Sequence, residues 1–428
     1  MVHQTIRISS SMAPKASSRI THMSNILRLL GGPATAGRNP VALAVALTPA
    51  LALTAAILGL LAACATPPAP GPAPGGPAGP AVPGMASVPM VNPTIVRARA
   101  RWVPVDWAEL PGWEADRSNE LWPALLRGCE KPAPGWAAVC AQALSEPAVG
   151  VADAATRAWL QQRLKPFRVE ALDGTIDGLV TGYVEATLRA SRTERSEFRV
   201  PLYAPPADLA TRKPYFTRQQ IETLPAARVA LRGRALAYVR DPLDALYLQV
   251  QGSGRVRVAE ADGSSQWLRF AFAGSNDQPY KSVGSWLIGQ GQMTAAQASW
   301  PAIKAWAKQN PKRVDEMLWS NPRYVFFREE PLRDPKLGPK GAQGVSLTPG
   351  RSIAVDPLSI PYGTPVWLSS TEPMTSTPLR RAVMAQDTGS AITGAVRADY
   401  FWGWGDEAEA QAGRMKQPLQ MWVLWPKL

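Results

Sequence analysis

The stretch Ala385-Gln-Asp-Thr-Gly-Ser-Ala-Ile-Thr-Gly394, followed by Asp399-Tyr-Phe-Trp-Gly-Trp-Gly405, holds the residues of this chain best suited to chemistry. One carboxylate, Asp387, sits among Val383, Met384, Ala385, Ala391 and Ile392 and beside glycine. Loss of hydration in such surroundings raises a carboxyl pKa and lets it donate a proton near neutral pH. The letters Asp-Thr-Gly-Ser also open the catalytic loop of pepsin-like proteases. Those enzymes need two such loops, because two carboxylates share one proton and activate water. This chain has one Asp-Thr-Gly and no Asp-Ser-Gly, and the retroviral proteases that dimerise to supply the second loop are far shorter. A glycosidase also normally uses two carboxylates, and Asp356 and Asp399 flank Asp387 in sequence. One carboxyl suffices where the substrate brings its own nucleophile, as muramic acid does with its free 6-hydroxyl.

Rare residues remove other chemistries. Both histidines, His3 and His22, precede residue 64, so the rest of the chain has no Ser-His-Asp or Cys-His catalysis and no histidine-ligated zinc. Three cysteines are too few for a thiolate metal site. Gly252-Ser-Gly254 leads into an expected strand, so it is not a dinucleotide fingerprint, and no Gly-Lys-Ser/Thr makes it a P-loop. Neither a metal nor a cofactor is therefore expected. Lys plus Arg number 46 against 33 Asp plus Glu, for a net charge of +13. That balance suits an anionic partner: nucleic acid, an acidic lipid surface or an anionic envelope polymer. No basic run interleaved with aromatics points to nucleic acid.

The N-terminus reads as an address. Residues 1–40 are basic and free of acid, Val41 to Leu61 are almost wholly apolar, and Leu61-Ala62-Ala63-Cys64 follows. These are the three regions of a secretory signal, and the ending resembles the bacterial lipobox, which makes Cys64 the lipidated first residue of the mature chain. The alternative is a membrane-spanning anchor, since the run is just long enough. Ala65 is not the aspartate that typically retains such proteins at the inner membrane, so an outer-membrane lipoprotein facing the periplasm is expected. In that oxidising compartment Cys129 and Cys140 are expected to pair as a disulfide. Residues 65–98 begin with a Pro/Gly/Ala tether that cannot bury a core and at about 3 Å per residue reaches on the order of 90 Å.

The elements that must position Asp387 follow from periodicity. Ala152 to Leu164 reads as an amphipathic helix with Trp159, Leu160 and Leu164 on one side. Ser299 with Pro301 starts a helix ended by Asn310-Pro311, and Lys312 to Trp319 makes another. Between Leu179 and Phe270 the pattern is of strands, and Tyr247-Leu-Gln-Val-Gln251 alternates. On that reading Gln249 and Gln251 share a strand face and offer amides to sugar hydroxyls. Ser352–Val355, Pro365–Leu368, Arg380–Ala385 and Leu419–Leu424 are further short strands between Pro/Gly turns, which suggests a barrel-like β domain. Sixteen tryptophans all follow the tether, and Trp402 and Trp404 are placed to line a groove near Asp399.

Four blocks in order, Gly178-Leu-Val-Thr-Gly-Tyr183, Tyr247-Leu-Gln-Val-Gln-Gly-Ser-Gly254, Asn321-Pro-Arg-Tyr-Val-Phe-Phe327 and Ala385–Gly394, resemble the membrane-bound lytic murein transglycosylase A family over residues 100–428. Asp356, Asp387 and Asp399 match its C-terminal three-aspartate domain. Where the family usually has Tyr-Glu-Pro after Gly-Tyr, this chain has Val184-Glu185-Ala186. The resemblance implies a mainly β protein with accessory helices: a double-psi β-barrel domain from residues 99–186 and 297–428, an inserted second β domain at 187–296, and a groove between them. By analogy Asp387 is the catalytic acid/base, and Tyr183, Glu185, Gln249, Gln251, Gly252, Ser253, Gly254, Asp356 and Asp399 bind substrate. The substrate implied is the glycan strand of peptidoglycan, cut at the MurNAc–GlcNAc bond to leave 1,6-anhydromuramyl ends. Cell-wall synthesis proteins are further expected partners. The alternatives are a silent peptidoglycan-binding lipoprotein on the same fold, or a hydrolase using Asp399 or Asp356 as base.

Overall fold

Strands dominate, in two sheets, and the chain leaves the first sheet to build the second before returning. The computed structural model describes residues 93–427; the signal segment, Cys64 and most of the tether lie outside them. In chain order β1 is Ile95–Val96, β2 Arg101–Pro104, β3 Leu164–Glu170 and β4 Gly178–Tyr183. The second sheet follows: β5 Ala186–Ser191, β6 Val200–Tyr203, β7 Ala235–Val239, β8 Ser253–Ala259, β9 Ser265–Ser275 and β10 Val325–Pro331. The return supplies β11 Ser352–Val355, β12 Thr364–Thr371, β13 Pro378–Asp387, β14 Arg397–Phe401 and β15 Lys416–Pro426.

In the first sheet β15, β12, β13, β11, β14 and β4 pair in that order, and β4 pairs back onto β15, closing a six-stranded ring. Closure leaves no free edge within the ring. Strand alternation sends Val180, Ile353, Val355, Val366, Leu368, Val383, Ala398, Tyr400 and Val423 into one core. Trp367, Ala382, Met384, Trp422 and Leu424 point the other way, against helices Trp122–Gly128, Ala137–Ser145 and Asp153–Arg163. Cys129 and Cys140 are joined as a disulfide between the first two of these helices.

The second sheet has the order β10-β9-β8-β5-β7-β6. Its last strand lies beyond 296, so the second body runs past the expected end of the insert: β10 pairs with β9 from Val325↔Ser275 to Pro331↔Leu268. The helix from Ser299 is confirmed as Trp300–Gln309, with the Ser299 hydroxyl accepting from Ala302 N–H. Tyr247–Gln251 is not a strand. It is the end of a helix, Pro242–Gln251, whose start Asp241 caps by accepting from Leu243 N–H at 2.8 Å. Five alternating residues satisfied a period of two, yet the helix buries Leu243 and Leu246 on one side and Ala245 and Leu248 on another. Helices Arg218–Thr223 and Pro225–Ala230 likewise interrupt the run expected to be all strand.

Candidate active site

A β-bulge aims Asp387. Along β11, Ile353 pairs with Ala385 but Ala354 pairs with Asp387, so Gln386 is an extra residue on β13. Val383 and Ala385 face the barrel core; the extra residue reverses the alternation and turns Asp387 out with Ala354. Gln386 itself is buried, donating to Ala124 C=O at 3.0 Å and accepting from Ser352 Oγ at 2.7 Å. Registers then set one row across four strands of the barrel's outer face: Asp387, Ala354, Asp399 and Thr181. The small Ala354 floors the space between two carboxylates that stand two strands, about 10 Å, apart at their backbones.

Two donors hold the Asp387 carboxylate. Tyr183 Oη donates to Oδ2 at 2.9 Å, and the backbone N–H of Ala342 donates to Oδ1 at 3.0 Å. Ala342 belongs to the segment that returns from the second sheet, where Gly341 packs so close that a Cβ on it would stand 2.5 Å from Gln386 C=O. Burial pushes the Asp387 carboxyl above its ordinary value, against the opposing hydrogen bonds from backbone N–H groups and Tyr183. Asp399 is raised to about 6, chiefly by burial, with Thr181 and Arg397 acting against the shift and the charge of Asp387 adding to it. The Thr181 hydroxyl donates to Asp399 Oδ1 at 2.6 Å. A carboxyl raised by burial and held by two donors can deliver a proton and take one back at a single point.

Of the residues expected at the site, the structure gathers Tyr183, Asp387 and Asp399. Asp356 is spent elsewhere: it accepts from Arg99 Nη1 at 2.9 Å, Gly394 N–H at 2.8 Å and Leu358 N–H at 3.0 Å. Glu185 is fully buried and accepts from Arg255 Nε at 2.7 Å and Arg269 Nε at 2.5 Å, a clasp between the two bodies. Gln249 is buried and accepts from Arg218. Gln251 Oε1 accepts from Val184 N–H at 2.9 Å. Gly252 ends the helix in the left-handed region at φ 78°, and a Cβ on Gly254 would meet Leu248 Cδ1 at 2.3 Å. The strand reading of Tyr247–Gln251 does not show these contacts. Ser253 is buried, and among the described residues its Oγ has no hydrogen-bond partner. Trp402 packs on the barrel core and donates to Met415 Sδ, while Trp404 lies under the Arg255 guanidinium at 3.4 Å.

Sequence reasoning missed Thr181 and Ala342. The first lies within a quoted block but carries no signature as a carboxylate donor, and the second acts through its backbone. A cavity of about 570 Å³ also opens between barrel and insert, lined by Gly182, Tyr247, Gln251, Tyr280, Trp300 and Glu409 among others. Tyr247 and Trp300 stack there at 5.0 Å between ring centroids. Asp387 does not line it. Among the described residues no group of His, Cys, Asp and Glu could hold a metal ion.

Family comparisons match both bodies. The insert domain specific to MltA matches residues 179–328, and the 3D domain matches residues 351–425. Ring, insert and outward aspartate thus define a protein of the MltA-insert and 3D-domain class. The membrane-bound lytic murein transglycosylase A of Escherichia coli K12 is 30% identical over 275 residues, 63% of this chain and 71% of that protein. That of Vibrio cholerae is 30% identical over 252 residues, 58% of this chain and 65% of its own length. Among solved structures, the lytic transglycosylase LtgG of Burkholderia pseudomallei is 46% identical, with 81% of this chain and 99% of that chain covered at a TM-score of 0.53. MltA from Neisseria gonorrhoeae is 32% identical, covering 78% and 94% at a TM-score of 0.65. E. coli MltA with bound chitohexaose is 26% identical, covering 75% and 89% at 0.54. The chain belongs to the membrane-bound lytic murein transglycosylase A family, a family of enzymes.

Proposed function

We propose that this chain is a peptidoglycan lytic transglycosylase that cleaves the β-1,4 bond between MurNAc and GlcNAc without water, using Asp387 as its acid and base. The observation that carries the reading is the carboxyl itself: raised by burial, turned outward by a bulge and held by two donors. Protonated Asp387 gives its proton to the glycosidic oxygen as the bond to C1 breaks and the electron pair passes to the leaving GlcNAc. The 6-hydroxyl oxygen of the same MurNAc bonds to C1, and its proton passes to the Asp387 carboxylate. The product is a 1,6-anhydro ring, and the enzyme returns to its starting state. Between the two transfers the charge on Asp387 is stabilised by Tyr183 and Ala342, donors placed before the reaction begins.

The names of the family's relatives, murein transglycosylases, and the chitohexaose bound by one of them support a glycan substrate. The leader and lipobox support a lipid anchor on Cys64 at the outer membrane, with the tether letting the enzyme reach the wall. Asp387→Asn keeps the shape and removes the proton. It should cut release of muropeptides from sacculi by about 10²–10⁴-fold while binding persists. Undiminished release would refute the assignment.

A further inference from the structure

One face of the second sheet carries a row of side chains that the site above leaves unused. The register of β5 with β8 sets Arg189 beside Arg257, and that of β8 with β9 sets Arg257 opposite Trp267. All three are exposed, Trp267 at 46%. Among the described residues neither guanidinium has a carboxylate partner; Arg257 reaches only Ser265 Oγ, at 3.2 Å. Nearby, by contrast, Arg192 is paired with both Glu260 and Glu329. Like charges on neighbouring strands repel, and an indole left in water forgoes its burial. The row is therefore unfavourable in the free protein and is relieved by a ligand that brings carboxylates and a flat apolar face together.

Its position ties it to the site. Alternation puts Arg257 and Trp267 on the same face as Arg255 and Arg269, one row away, about 7 Å along the strands. Arg255 holds the carbonyls of Pro335 and Leu337, and Arg269 also holds Leu337. Five residues on from Leu337, Ala342 donates to Asp387, and five extended residues span at most about 17 Å. A polymer lying over Asp387 is thus within reach of the row.

We propose that Arg189, Arg257 and Trp267 form a second binding row for the glycan strand, distant from the cleaved bond. Trp267 stacks on a sugar face, and the arginines pair with carboxylates carried by muramyl groups, on the peptide stem or, where the stem has been removed, on the freed lactyl arm. This rests on the transglycosylase reading for its ligand, and the two can fail separately. The test is co-sedimentation with purified sacculi in the Asp387→Asn background, with Trp267→Ala and with Arg189→Ala plus Arg257→Ala. Each change should weaken binding about tenfold, with the arginine effect fading as salt rises. Soluble glycan strands stripped of peptide, whose lactyl carboxyls are freed from the amide, compete with sacculi in an arginine-dependent way if the lactyl arm is bound and lose that dependence if the stems are. Affinities within twofold of the background on intact sacculi, for folded variants with unchanged melting temperature, overturn the row. Wild-type digestion run alongside reports on the other claim: anhydro ends with no row effect leave the activity standing, and a row effect without anhydro ends leaves only the binding.

Discussion

At the scale of single residues, Asp387 was legible because one Asp-Thr-Gly in a chain without usable histidines leaves few other acids. What aims it was not legible. The bulge at Gln386 exists only once β11 and β13 are paired, and no motif marks the Ala342 N–H. Tyr183→Phe removes a donor that stabilises the charged carboxylate, so the Asp387 pKa should rise further. Activity requires the acid form at the first step and falls as pH rises through that pKa. The falling limb of the pH–rate profile should therefore move to higher pH in this variant; an unmoved limb would remove Tyr183 from the mechanism. Asp399 has a different consequence. Its folded value of about 6 exceeds the ordinary 3.8, so the folded state binds the extra proton and stability falls as pH rises from about 4 through about 6. Asp399→Asn should remove that loss and melt higher than wild type at pH 7.5, with the gain absent near pH 4. Equal gains at both pH values would show that burial of this charge is not the cause.

At the scale of elements, the clasp at Glu185 joins the two crossings between barrel and insert. Its carboxylate meets Arg255 and Arg269, which in turn hold the returning backbone at Pro335 and Leu337. Removing one partner of a buried ionic cluster leaves charge uncompensated, so Glu185→Ala should cost about 3–5 kcal/mol in urea unfolding. A loss below about 1 kcal/mol, the worth of a surface pair, would mean the cluster is wetter than its burial indicates. The family resemblance offers Glu185 as a substrate contact; what the sequence does not show is its two arginines, 70 and 84 residues away. The helix Pro242–Gln251 failed for a different reason. Its start signal, Asp241-Pro242, and its stop, Gly252, are both in the sequence, but the short alternating window Tyr247–Gln251 masks them.

At the scale of the molecule, the mainly β architecture, the return of the chain to the barrel and the helix from Ser299 were all readable from strand lengths, turns and the family resemblance. The extent of the insert was not, because β10 belongs to the second sheet by pairing with β9 across the intervening residues 276–324, a partnership with no local signal. The disulfide between Cys129 and Cys140 ties helices that pack on the barrel wall. Replacing both cysteines by serine should lower stability by about 2–3 kcal/mol, seen as a lower denaturation midpoint that reductant no longer changes. On the proposed function this scaffolding serves one carboxyl, whose reaction consumes no water. Digesting sacculi with the purified enzyme and weighing the released muropeptides tests this most directly. A lytic transglycosylase leaves 1,6-anhydromuramyl ends, lost with Asp387→Asn; reducing ends heavier by one water would show hydrolysis instead.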